Sequence, residues 1–125
     1  MDSSDLNIAI VGVTGAAGST ALNLLLERNH PADRIVPIAS ARSVGRKISY
    51  GDEELTVVEA RPEVFDGVTV AIFAAGGLVS RRLVHEAVGR GAFVIDKGSI
   101  FRMEPSIPLV VPEVNGDDID WHSGI

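Results

Sequence analysis

The residues with the clearest chemical content are Gly12-Val13-Thr14-Gly15-Ala16-Ala17-Gly18, which follow the apolar run Leu6-Asn7-Ile8-Ala9-Ile10-Val11 and precede Leu22, Leu25 and Leu26 at helical spacing. A glycine pattern gains meaning from that position between a strand and a helix. Gly12 permits a tight turn off the strand, Gly15 lets backbone N–H groups approach an anion with no Cβ in the way, and Gly18 lets the helix pack close on the sheet. The unpaired N–H groups and positive dipole end of a helix starting there favour a diphosphate without any basic side chain. A site for NAD places Asp or Glu at the end of the second strand, roughly 20 residues past the glycines, to bind the ribose hydroxyl. This chain has Ser40-Ala41-Arg42-Ser43 there instead. An arginine fork with flanking hydroxyls suits a 2′-phosphate through charge-assisted, bidentate bonds, which predicts NADP over NAD.

Other chemistry is scarce. The chain has no cysteine, so it holds no disulfide, no Cys-ligated metal and no thiol nucleophile. His30, His85 and His122 have no spacing that would set two on one helix face with a carboxylate, so neither a metal site nor a hydrolytic triad is expected. Asp117, Asp118 and Asp120 lack the spacing and closing glutamate of a calcium loop and read as helix-start residues favoured by the dipole. Trp121 reads as a packing residue. The acidic stretch Asp52-Glu53-Glu54 reads as a solvated hairpin tip.

The 125 residues, 46% of them hydrophobic, suit one domain with an ordinary core. Seventeen acidic against eleven basic residues give a net charge of −6, and no basic tract is present, so neither nucleic acid nor an anionic membrane is an expected partner. The first five residues are acidic or neutral where a signal peptide would be basic, and no apolar run nears the ~18 residues needed to span a bilayer. A cytoplasmic protein is the resulting expectation.

The elements that must position these residues follow from hydrophobic period. Ile35–Ala39 reads as a second strand, whose Pro37 suits an edge or bulge better than a fully paired centre. Lys47 to Val58 alternates with period two and reads as a hairpin turning through Tyr50–Glu54. Pro62–Phe65 reads as a helical turn, Val68–Ala74 as a strand, and Phe93–Ile95 as another. Ser80 is the expected cap of a helix carrying Leu83, Val84, Ala87 and Val88, closed by Gly89 and Gly91. Leu109–Val111 reads as a further short strand, and the last residues as a helical turn. Apolar strands alternating with helices predict an α/β fold, a parallel sheet with helices on both faces.

With these segments in hand, the chain resembles the N-terminal part of aspartate-β-semialdehyde dehydrogenases of the bacterial and archaeal type. The likeness rests on Gly12 to Gly18, Ala39-Ser40-Ala41-Arg42-Ser43, Phe73-Ala74-Ala75-Gly76-Gly77, Phe101-Arg102-Met103 and Pro108-Leu109-Val110-Val111-Pro112-Glu113-Val114-Asn115, and it covers nearly the whole chain. It implies a Rossmann-type domain over residues 1–125, incomplete at its C-terminal side, with the catalytic and dimerisation domain lying outside the chain. By resemblance, Thr14, Gly15, Ala16 and Ala17 line the pyrophosphate of NADP and Arg42 with Ser43 its 2′-phosphate. Ala75, Gly76 and Gly77 lie against the cofactor, and Arg102 holds the acyl phosphate or inorganic phosphate. The family reduces β-aspartyl phosphate to aspartate semialdehyde with NADPH, on the way to lysine, threonine and methionine, and the complete enzyme is expected to be a homo-oligomer. The chain departs from the family pattern in two ways. It reads Asp96-Lys97-Gly98-Ser99 where Asp-Asn-Ser-Ser is usual, and it contains neither the catalytic cysteine nor the base histidine. It is therefore expected to bind cofactor without turnover. The rival is a free-standing NADP sensor or partner module, favoured if Trp121 and Ile125 are buried and disfavoured if they are exposed beside an unpaired sheet edge. An acylated-glutamyl-phosphate reductase shares the chemistry, but Arg102 and Val111-Pro112-Glu113 argue against it.

Overall fold

Along Asn7–Val11 (β1), Ile8 and Ile10 point to one side and Ala9 and Val11 to the other, and all four are buried. A strand apolar on both faces must lie inside a sheet that is covered on both. The computed structural model, which describes residues 6–30, 32–98 and 101–125, bears this out. The helix Ala16–Glu27 (α1) follows, then strand Arg34–Ala39 (β2), the hairpin strands Lys47–Tyr50 (β3) and Glu53–Thr56 (β4), and the short Val58–Glu59 (β5). Val70–Phe73 (β6), helix Gly77–Gly89 (α2), Phe93–Asp96 (β7) and the single helical turn Pro112–Asn115 (α3) complete the elements, with 3-10 turns at Ala41–Ser43, Pro62–Phe65 and Gly116–Trp121.

The main sheet is five-stranded in the order β5-β2-β1-β6-β7, and every pairing in it is parallel. On the α2 side a core forms around Ala9, Val11, Phe65, Phe73, Leu83 and Val84. Phe65 stacks on Phe73 with ring centroids 5.7 Å apart. On the α1 side Ile8, Ile10, Val13, Leu22 and Val57 form the second core. Each large side chain buried in either core stabilises the fold by about 1.5–3 kcal/mol.

The order in which strands are added reverses at β1: β2 lies on one side of it and β6 on the other. A crevice at the carboxyl ends of the strands results from such a reversal.

Several sequence expectations need correction. Helix α2 begins at Gly77 with Gly76 as its N-cap, so Ser80 lies inside the helix and does not cap it. Leu109–Val111 forms no strand; the Asn115 side chain holds it, with Oδ1 accepting from Val111 N at 2.7 Å and Nδ2 donating to Leu109 O at 2.8 Å. The hairpin turn is tighter than its composition suggests: Tyr50 pairs with Glu53 across Gly51-Asp52, and Gly51 has φ +62. Pro37 is placed inside the sheet opposite Ile10, yet tolerated for the reason foreseen at an edge. The Ile38 carbonyl accepts from Gly12 and Val13, so the alternating backbone turns the Pro37 nitrogen to the outer side, where β5 starts only opposite Ile38. Pro31 and Ser99 lie outside the described residues.

Candidate functional site

The glycine loop leaves β1 under tight restraint. Gly12 and Val13 both donate to the Ile38 carbonyl, at 2.9 and 3.1 Å, and Gly15 donates to Gly12 O at 3.0 Å. Gly12 has φ +87, and a Cβ there would sit 2.9 Å from Ala75 N. A Cβ on Gly18 would collide with the Gly12 carbonyl oxygen and stand 2.6 Å from its carbon. Both glycines are therefore required by close backbone approach, Gly12 to the β6–α2 turn and Gly18 to the loop itself. The amides of Gly12 and Val13 are thus committed to the protein.

The amides left over lie further along. Within α1 the first hydrogen bond to its N-cap runs from Ser19 N to Gly15 O, at 2.9 Å. The N–H groups of Thr14, Ala16, Ala17 and Gly18 have no acceptor among the described residues, and the N-cap Gly15 has no side chain to satisfy them. No acidic residue occupies the first turn. Gly15, Ala16 and Ala17 are exposed. The donor set is an open concavity of peptide N–H groups at a helix N-terminus, which fits a phosphate or diphosphate.

Ser40, Arg42 and Ser43 stand on the neighbouring strand's exit, where Ser43 N donates to Ser40 O at 2.9 Å and closes a 3-10 turn. Because β2 pairs directly with β1, this turn and the glycine loop share the carboxyl edge of the sheet. Arg42 is exposed and makes no ion pair among the described residues. On the other side of β1, Ala74 N donates to Val11 O at 2.8 Å, which brings Ala75, Gly76 and Gly77 beside the glycine loop at the start of α2. The three segments predicted from sequence therefore converge on one edge.

Arg102 belongs to the turn after β7, where a Cβ on Gly98 would lie 3.9 Å from the Ala75 carbonyl oxygen. Its Nε donates to Gly98 O at 3.1 Å and an Nη to Lys97 O at 3.4 Å, so the arginine braces the turn after β7 through backbone carbonyls and not through a surface ion pair. In that turn Asp96 Oδ1 accepts from Gly98 N at 2.8 Å, while Oδ2 is buried without a partner among the described residues. Sequence reasoning did not assign Lys97 to the site, yet it lines one groove with Ala16, Ala17 and Thr20. The signal was the period-two alternation of β7, which puts Ile95 and Lys97 on the α1 side. Two of the three histidines make ring contacts: His85 meets Phe101 edge-on and His122 meets Phe93 edge-on, with His122 Nδ1 accepting from Gly124 N, while His30 is exposed and lines the groove with Lys97. Among the described residues no helix is long and apolar enough to cross a membrane.

Comparison with known proteins agrees with this fold. The chain is 52% identical to the aspartate-semialdehyde dehydrogenase of Bacillus subtilis over 120 residues, 96% of this chain and 35% of that one. Aspartate semialdehyde dehydrogenase II of Vibrio cholerae, solved in complex with ASA, superposes with a TM-score of 0.88 at 40% identity over 92% of this chain and 38% of that chain. The Candida albicans aspartate semialdehyde dehydrogenase, solved with NADP, gives 0.77 at 26% identity over 92% of this chain and 36% of that one. The chain thus spans about a third of the length of such relatives. Residues 7–122 match the family described as semialdehyde dehydrogenase, NAD binding domain, and the chain belongs to that family.

Proposed function

We propose that the chain is the NADP-binding part of an aspartate-semialdehyde dehydrogenase, which reduces β-aspartyl phosphate to aspartate semialdehyde and releases phosphate. The observation that carries this reading is the first turn of α1, whose amides at Ala16, Ala17 and Gly18 lack acceptors among the described residues, at the same sheet edge as Arg42, which forms no ion pair among them. Bound NADPH would supply the hydride for the acyl carbon. The chain's own part is to bind and orient. The amides of Thr14, Ala16, Ala17 and Gly18 hold the diphosphate, and Arg42 with the hydroxyls of Ser40 and Ser43 holds the 2′-phosphate. Ala75, Gly76 and Gly77 present backbone with little side-chain bulk beside it. Arg102 would hold the substrate phosphate on exchanging its two carbonyl partners for it.

No residue of the chain is a cysteine, so the thiolate that attacks the acyl group has to be supplied by residues beyond these 125, and the chain binds cofactor without turnover. The apolar surface along 103–121 supports a role within a larger enzyme: Met103 is 88% exposed, Val114 82% and Trp121 51%. One observation favours the free-standing module instead. Ile125 packs against the α2-side core, and Gly124 O accepts from Val94 N on the outer edge of β7. A cytoplasmic setting, a homo-oligomeric enzyme and the absence of a nucleic-acid partner belong to the same proposal.

Calorimetric titration with NADPH and NADH tests it. The parent chain is expected to prefer NADPH, and Arg42→Ala to lower NADPH affinity about tenfold or more while NADH stays unchanged, as for a lost charge-assisted bond. Parent and variant binding both dinucleotides alike would remove the 2′-phosphate assignment.

A further inference from the structure

Lys97 is fixed at the carboxyl edge by its backbone, whose N–H donates to Phe73 O at 2.9 Å as the last rung between β6 and β7. Its side chain leaves on the α1 side of the sheet. There a groove of about 620 Å³ has Ile72 and Ile95 in its floor, the first turn of α1 at Ala16 and Ala17 on its wall, and Lys97 opposite. Ile95 is 43% exposed there, so nothing in the described chain covers this part of the sheet. The ammonium of Lys97 forms no hydrogen bond or ion pair among the described residues. None of the residues lining the groove is acidic, although the chain as a whole carries a net charge of −6. Lys97 therefore lines the same groove as Ala16 and Ala17, two of the residues whose amides have no acceptor among the described residues, and the groove runs on along α1 to Arg28 and His30.

We infer that Lys97 contacts the diphosphate of the dinucleotide directly, as a side-chain cation opposite the amide cradle of α1. The inference rests on the cofactor reading above and extends it to a residue from the far side of the switch point. The division of labour follows from position. Arg42, beyond β2, reads the ribose phosphate and so separates NADPH from NADH. Lys97, beyond β7, reads the diphosphate, which every dinucleotide of this type carries. An ammonium is a compact point charge with rotatable donors, suited to phosphate oxygens and not to a planar carboxamide.

The experiment titrates NADPH, NADH and ADP-ribose into the parent chain, Lys97→Met and Lys97→Arg at low salt. ADP-ribose keeps the diphosphate and lacks the nicotinamide. Lys97→Met is expected to weaken all three ligands about tenfold. Lys97→Arg is expected to retain most of the affinity. The difference between parent and Lys97→Met should shrink as salt is raised, since the lost contact is electrostatic. Thermal stability should not move, because Lys97 is exposed. Unchanged affinity for all three ligands in Lys97→Met overturns the inference and leaves the cofactor reading intact. Weakening of NADPH and NADH with ADP-ribose unaffected also overturns it, by moving the contact to the nicotinamide end. A parent chain that binds none of the three overturns both readings together.

Discussion

Two glycines of the loop between β1 and α1 differ in what they protect. The Cβ of an alanine at 18 would run into the Gly12 carbonyl and lie 2.9 Å from Val13 Cα, so the obstacle is backbone on both sides and cannot rotate away. Gly12 in turn is anchored by its N–H to Ile38 and its carbonyl to Gly15. Relief of the clash therefore displaces the whole loop. Gly18→Ala is expected to lower stability by about 1–3 kcal/mol, as for overpacked sites, and to abolish NADPH binding with it. Gly15 is different: its φ is −83 and a Cβ there meets only Gly12 O, at 3.4 Å. Gly15→Ala should cost under about 1 kcal/mol of stability and still weaken NADPH binding, because in the proposed site the added methyl would stand where the phosphate approaches the amides. Thermal denaturation beside calorimetry separates the two effects; a Gly18→Ala chain with parental melting and affinity would contradict the packing argument.

At the scale of elements, the hairpin β3–β4 offers a titration that the sheet does not. Burial, and then the carboxylate of Glu53 opposite it, push the Tyr50 phenol above its ordinary value of 10.0. The unfolded chain then ionises first, so the folded form holds more protons above that pH. This contribution to stability is fully present below pH 10 and is lost as pH rises through the folded phenol's higher value. Denaturant midpoints should fall between about pH 9 and about pH 11, and Tyr50→Phe should flatten the part of the decline due to this residue; equal slopes in both chains would exclude it.

The same scale decides what the sequence could reveal. β1, its glycine loop and α1 were readable because alternation, turn and helical period are each local and all agree. The start of α2 was not. Ser80 has the type of a cap, but two glycines before it let the helix begin at Gly77 with Gly76 as its N-cap. Leu109–Val111 has strand composition without a strand's partner, since the outer edge of β7 gives its Val94 N–H to Gly124 and Asn115 takes the backbone of Leu109 and Val111. Pairing is a property of the neighbour, which composition does not encode. The loops at the carboxyl edge followed from spacing on single segments, whereas the meeting of Lys97 and Ala17 at one groove depends on three separate elements.

Taken as a whole, the molecule has two cores on either face of one sheet and a C-terminal segment joined to it differently. Residues 109–118 hang largely on one side chain. Asn115 Oδ1 accepts from Val111 N at 2.7 Å, while its Nδ2 donates to Leu109 O at 2.8 Å and to Asp118 Oδ2 at 2.9 Å. Removing such bonds costs about 0.5–1.5 kcal/mol each, and the segment adds few buried side chains of its own: Leu109, Val111 and Val114 are all exposed. Segments with polar restraint and little burial open independently of the core. Asn115→Ala is therefore expected to raise hydrogen exchange at Val111 and Val114 and to admit proteolysis within 109–118. Exchange in β1 and α1 should stay at the parental rate, and so should NADPH affinity, because neither core nor cradle contacts Asn115. Phe65→Ala supplies the contrast, since Phe65 is fully buried against Phe73 and its truncation costs about 3–5 kcal/mol. That variant should lose protection and binding together. If Asn115→Ala did the same, the C-terminal segment would have to be part of the cooperative unit that holds the cofactor edge, and its polar clamp would matter to the whole fold.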